Sequence, residues 1–206
     1  MSWSGSTSTD ARDFDPGLGG VTELRSERVL LRNWRDSDIE PWVEMNADPE
    51  VMEYFPAVLD RAEAETMAEH IRSHLDEHGW GLWALEIPGE MDFGGFVGLA
   101  EATFEAHFTP ALEVGWRLAR PAWGHGHASE AAKLAVGYAW DQLGCDEVVS
   151  FTAQGNLRSR AVMERIGLTR DPADDFDHPR LEGDSPLRRH VLYRLSRPAQ
   201  GASRPS

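Results

Sequence analysis

Trp123-Gly124-His125-Gly126-His127-Ala128, running on into Ser129-Glu130-Ala131-Ala132-Lys133-Leu134, is the stretch that decides how this chain is read. An apolar, strand-like run from Leu112 to Leu118 precedes it and a long helical pattern follows it. The first turn of a helix carries backbone N–H groups without internal partners and a partial positive charge. Glycines let an anion reach those donors, because no Cβ stands in the way. The stretch therefore points to a phosphate-bearing ligand gripped by main chain. No Gly-Lys-Ser/Thr closes the loop, so it is not a P-loop. Ser129 stands where the third glycine of Gly-x-Gly-x-x-Gly belongs, which makes it a poor dinucleotide fingerprint.

The remaining candidate is the pyrophosphate loop of an acetyl-coenzyme A enzyme. Three segments carry a resemblance in their order and spacing: Glu113-Val114-Gly115-Trp116-Arg117-Leu118, Trp123 through Ala131, and Asn156-Leu157-Arg158-Ser159 through Arg165-Ile166-Gly167. Together they resemble the GNAT superfamily of N-acetyltransferases, in the RimJ/RimL-like branch that acetylates ribosomal-protein N-termini. The resemblance spans roughly residues 21–197. It implies the GNAT fold: a mixed, mostly antiparallel sheet, flanked by helices and splayed between two parallel strands to form a cofactor cleft. It also implies acetyl-CoA as cosubstrate, no metal, and direct transfer to a primary amine, either a protein N-terminus or a small molecule. A non-catalytic acyl-CoA-binding module and a structural dimerisation protein are the alternatives.

Composition sets the frame. The chain has 206 residues, 41% of them hydrophobic, enough for one domain with a substantial core. Its formal charge of −15 argues against a nucleic-acid backbone as partner. A local basic set near the loop (Arg117, Arg120, His125, His127, Lys133, Arg158, Arg160) can still oppose that field, and the acidic remainder suits a cationic amine. Cys145 is the only cysteine, which excludes an internal disulfide and suits a reducing cytoplasm. Residues 1–20 are rich in Ser, Thr and Gly, without a basic start or an apolar run. They read as a disordered tail rather than a signal or membrane span, and residues 198–206 read likewise. The acetyltransferase domain is expected over residues 21–197, with no membrane partner and with a homodimer left open.

Coarse patterning orders the elements. A first strand is expected over Arg28–Trp34. A capped helix follows Asp36, and a second opens at Asp60 with Glu63 completing a capping box. Strands are expected at Leu82–Ile87, from Phe96, and at Leu112–Leu118; a helix spans Ala128–Leu143. A strand at Glu147–Thr152, a helix capped by Asn156 and a last strand at His190–Leu195 complete the pattern. Arg170–His190 is a long, proline-bearing connection, a length that is usually functional or disordered.

The resemblance assigns roles to residues. Backbone groups of Trp116 and Leu118 would hold the pantetheine arm. The amides of Trp123, Gly124, His125, Gly126, His127, Ala128 and Ser129 would hold the pyrophosphate. Trp123 stands where the superfamily often has Arg or Gln, so charge assistance is absent at that position. Asn156 would cap its helix and reach the pantetheine arm. Ser159 falls near the expected thioester sulfur, and no Tyr follows it in Ala161–Glu164 to act as general acid. Glu113 is the candidate general base, either directly or through water; a sheet-surface carboxylate near Arg117 is its plain alternative. His178, within Phe176-Asp177-His178-Pro179, is a candidate acceptor contact or base. Trp34, Trp80 and Trp83 read as core residues or as walls of the acceptor pocket. His70, His74 and His78 have zinc-compatible spacing but read as a solvated helix flank.

Overall fold

A computed structural model describes residues 21–199. The proposed tail over residues 1–20 and the end of the C-terminal tail lie outside it. The chain runs β1 (Leu24–Arg25), β2 (Leu30–Arg32), α1 (Ile39–Ala47), α2 (Arg61–His78), β3 (Leu82–Glu86), β4 (Gly95–Ala102) and β5 (Ala111–Leu118). It continues with α3 (His127–Asp141), β6 (Glu147–Ala153), α4 (Leu157–Arg165), β7 (Thr169–Arg170), β8 (Phe176–Asp177) and β9 (Arg189–Ser196). One sheet takes all nine strands in the order β1-β2-β3-β4-β5-β6-β9-β7, with β8 also on β9.

Every neighbouring pair is antiparallel except β5 and β6. These two share a single registered pair, Glu113 with Val149, near the start of both strands. By contrast β4 and β5 pair over eight positions and β6 and β9 over seven. The sheet therefore splays between β5 and β6 toward their C-terminal ends, which is the split expected of the GNAT fold.

Side-chain alternation assigns the layers. Trp42 of α1 packs on Phe96 of β4, ring centroids 5.8 Å apart. Tyr138 of α3 packs on Trp83 of β3 at 5.4 Å. Trp83 pairs with Val97, the neighbour of Phe96, so α1 and α3 lie on opposite faces. α4 shares the α3 face, where its Glu164 accepts from the Tyr193 hydroxyl of β9. The α1 face of β6 and β9 carries a separate aromatic cluster of Phe104, Phe108, Phe151 and Phe176.

Local chemistry fixes the element ends. Asp60 accepts from the Glu63 amide and Glu63 accepts from the Asp60 amide, the reciprocal box that starts α2; Gly79 ends it with a left-handed φ of 74°. The first expected strand is cut to Leu30–Arg32, because Asn33 Oδ1 takes the Trp34 amide and removes it from the ladder. Helix α3 starts one residue earlier than expected and stops at Asp141. The Arg170–His190 connection holds β7, a 3-10 turn at Pro172–Asp174 and β8. Its charged side chains hold it down, Arg170 with Asp175 and Arg194 with Asp174 at 2.8 Å. Trp34 and Trp83 are core, while Trp80 packs against His74. No helix among the described residues is long and apolar enough to cross a membrane.

Candidate active site

The glycine loop leads from β5 into α3, one lip of the splay. Gly124 and Gly126 sit at φ of 82° and 84°, a left-handed conformation that L side chains rarely adopt. Gly126 is the N-cap of α3, and no side chain caps that end. The first helix amides are thus left to a ligand. Two polar atoms beside them, Nδ1 of His127 and Oγ of Ser129, are buried without a hydrogen-bond partner. Orphaned donors at an uncapped helix start suit a pyrophosphate, so the residues present fit coenzyme A. The Trp123 indole donates to the Leu118 carbonyl at 2.7 Å and ties the loop to the end of β5. His125 and His127 stack at 5.6 Å and, with Glu27, Arg28 and Glu90, line a cleft of about 290 Å³.

The other lip is the start of α4. Asn156 Oδ1 accepts from the Ser159 amide at 3.1 Å, and its Nδ2 donates to Thr152 Oγ1 at 3.0 Å. This is the expected N-cap, and it leaves one amide hydrogen and one lone pair for a ligand. Ser159 lies one turn into α4, partly buried. Arg158 lies over the Trp123 ring at 4.5 Å, reaching from one lip to the other.

The floor of the opposite side is β5 itself. Glu113, Gly115 and Arg117 alternate onto the α1 face, with Val149 and Phe151 of β6 beside them. A Cβ at Gly115 would meet only the Glu113 carboxylate within 4 Å, so the strand is open there. Burial pushes the Glu113 carboxyl up to about 8. The Arg117 guanidinium is pulled down to about 9 by the same cause. Arg117 donates to Asn46 Oδ1 and stacks on Phe55 at 3.9 Å, between Trp42 and Phe96 at 5.6 Å each. His178 forms a wall beyond Phe151, packed 4.7 Å from Phe104 and 5.0 Å from His190. Its Nδ1 accepts from the Arg180 amide, and desolvation pulls its pKa down to about 4.

The α1–α2 connection, residues 48–60, crosses the mouth of the splay. Glu50 pairs with Arg120 beyond β5, Glu53 pairs with Arg158 of α4 at 2.7 Å, and Phe55 covers Arg117. The patterning did not reveal this strap, the Asn46–Arg117 contact or the four-phenylalanine cluster. The one sequence signal for the second of these is Arg117, which alternates onto the same strand face as Glu113. His70, His74 and His78 form no metal-ligating group, and none occurs among the described residues.

A sheet parted between two parallel strands, with an uncapped helix start on one lip, is the GNAT architecture. Residues 28–169 match the acetyltransferase (GNAT) domain, and the chain belongs to that family, whose acetyl donor is acetyl-CoA. It is 33% identical over 143 residues to the FsC-acetyl coenzyme A-N(2)-transacetylase of Aspergillus fumigatus, covering 62% of this chain and 56% of that protein. A GNAT-family acetyltransferase from Bacillus anthracis superposes with a TM-score of 0.69 at 21% identity, over 85% of this chain and 98% of the other. RimJ of Mycobacterium smegmatis, solved with CoA-disulfide, superposes at 0.65 with 20% identity, over 85% and 86%.

Proposed function

We propose that this acetyltransferase is of the RimJ/RimL-like kind and moves the acetyl group of acetyl-CoA directly onto a primary α-amine, with Glu113 as general base. The Glu113 carboxyl, raised to about 8 beside the open strand at Gly115, carries the reading. An α-ammonium has a pKa of about 7.7–8.0, so proton transfer to Glu113 is nearly free of cost. A lysine ammonium at about 10.4 would leave more than two pK units to overcome. With a pKa near 8, about a tenth of Glu113 is ionised at pH 7, enough to act as base.

The amine docks above Gly115 and gives a proton to the Glu113 carboxylate, directly or through one water. Its lone pair then attacks the thioester carbonyl. The C–N bond forms, the C–S bond breaks, and the nitrogen's second proton passes to the departing thiolate, giving the amide and free coenzyme A thiol. Such a thiol has a pKa of about 8.5 by analogy with cysteine, so it leaves with modest help from the Ser159 hydroxyl or from solvent. Backbone at Trp116 and Leu118 holds the pantetheine arm. The amides from Gly124 to Ser129 hold the pyrophosphate, that of Trp123 being taken by the Arg120 carbonyl at 3.0 Å, and the spare Asn156 groups reach the arm between them. His178, neutral at physiological pH, serves as an acceptor wall. The N(2)-transacetylase name of the fungal relative agrees with an amine acceptor.

Mass spectrometry of an amine panel incubated with acetyl-CoA tests this. One added acetyl on an α-amine, with release of free coenzyme A, is expected. Binding of acetyl-CoA without transfer to any amine would sink it. His178→Ala should raise the acceptor KM or lower kcat while leaving acetyl-CoA affinity intact; a normal acceptor KM and kcat would remove the wall role.

A further inference from the structure

Among the described residues two guanidinium groups are deeply buried, in opposite surroundings. Arg32, 1% exposed, is paired with Asp38 and Glu86, each at 2.7 Å. Arg117, 5% exposed, meets no carboxylate among the described residues. It has a neutral amide oxygen at Asn46, three aromatic rings, and an Nε with no hydrogen-bond partner. A buried cation left uncompensated is costly, and an apolar side chain of equal length would fill the same aromatic box without that cost. Its position gives the cost a purpose. Arg117 and Glu113 share one face of β5, two residues either side of Gly115, each about 7 Å along the strand.

We propose that the acceptor is a compact α-amine carrying a carboxylate, of amino-acid size, and that Arg117 binds that carboxylate while Glu113 takes the ammonium proton. The proposal rests on the amine-transfer reading above and names its substrate class. Nε and the guanidinium plane supply the fork that a carboxylate matches. A carboxylate beside an amine raises the amine pKa, and pairing it with Arg117 offsets that rise, keeping the proton transfer to Glu113 easy. Phe55 covers Arg117 from the 48–60 strap, which is held by the exposed pairs Glu50–Arg120 and Glu53–Arg158. Val51 and Met52 anchor the strap in the core, whereas the Phe55 ring is only half-buried and can turn aside to admit a ligand. A peptide N-terminus has its neighbouring carboxyl locked in an amide and offers Arg117 no anion, so the acceptor proposed here departs from the protein N-termini of the RimJ/RimL-like enzymes that the chain resembles.

The test compares free amino acids with their own carboxamides, by initial rate and by calorimetry on the acetyl-CoA-loaded enzyme. Wild type should favour the acid over the carboxamide by at least tenfold in kcat/KM. Arg117→Met should abolish that preference through the KM of the acid, with acetyl-CoA affinity unchanged and a Tm at or above wild type. Arg117→Lys should retain part of the preference, and it carries the test should the methionine variant not fold. Equal use of acid and carboxamide by wild type, or an equal loss for both in Arg117→Met, would overturn the proposal. If no amine is acetylated although acetyl-CoA binds, the transfer reading falls separately. Saturable binding of the acid to wild type and not to Arg117→Met would then still support the carboxylate site, and absence of that binding would overturn it.

Discussion

Glu113 and Arg117 show how one strand face makes two groups unusual by the same physics. Burial disfavours the charged form of each, raising the acid and lowering the base. For Glu113 the sign yields a kinetic prediction. As pH rises through about 8 the carboxylate fraction grows, so wild-type kcat/KM should climb with an inflection there. Glu113→Gln should lose about 10²- to 10⁴-fold at pH 8 with acetyl-CoA affinity unchanged. The gap should narrow above pH 9, where the acceptor amine is neutral without help. Matching pH–rate profiles for wild type and variant would reduce Glu113 to a packing role. The identity of Glu113 as the base candidate was legible because it falls on the strand before the glycine loop. Its elevated pKa was not, since that depends on surroundings contributed by the rest of the fold. Arg117 stood in the sequence as one cation among seven near the loop. Only folding brings Trp42, Asn46 and Phe55, more than 60 positions earlier in the chain, around it.

At the scale of elements, what could be read beforehand is what neighbours along the chain determine. The Asp60–Glu63 box, the Asn156 cap and the glycine loop are each closed within a few residues, and each is found where its residues predicted. The strap over residues 48–60 has no such periodicity, because its partners Arg120 and Arg158 come from other elements. The loop itself can be tested alone. Acetyl-CoA at about 100 times its Kd should stabilise the native state by about 2.7 kcal/mol, seen as a rise in Tm. Gly126→Asp sets a side chain and a negative charge at an uncapped helix start whose φ is 84°, so that rise should vanish. A variant that binds acetyl-CoA calorimetrically as tightly as wild type would remove the loop from the cofactor site. A purely structural control is Asp60→Ala, which should cost about 1 kcal/mol of stability without altering cofactor affinity; an unchanged Tm would show that the cap contributes nothing.

Across the whole molecule, burial of imidazoles couples stability to acid. His178 and His74 are each drawn down to about 4, and His190 is also lowered, in every case chiefly by desolvation. Their unfolded values lie near 6.5, so between that pH and about 4 the unfolded chain binds more protons than the native one. Stability is therefore fully present above pH 6.5 and drains away as pH falls toward 4, by roughly 3 kcal/mol for a fully responding histidine. His178→Gln should flatten the decline of Tm across that window, and a decline as steep as that of wild type would clear His178 of the effect. The net charge of −15 was plain from composition, whereas which histidines end up desolvated is decided by neighbours brought up in folding, the phenylalanine cluster for His178 and His190 and Trp80 for His74. The single rung joining β5 to β6 has a consequence for exchange with solvent. Two well-laddered half-sheets meet at Glu113 and Val149, and no β6 register is made from Gly115 to Leu118. Backbone amides on that edge should swap hydrogen for deuterium within the fastest class in the free protein, while those in the β4–β5 ladder stay protected. An extended ligand lying along the edge would behave as a tenth strand, and its arrival should be visible as slowed deuterium uptake confined to those few residues and to the first turn of α3.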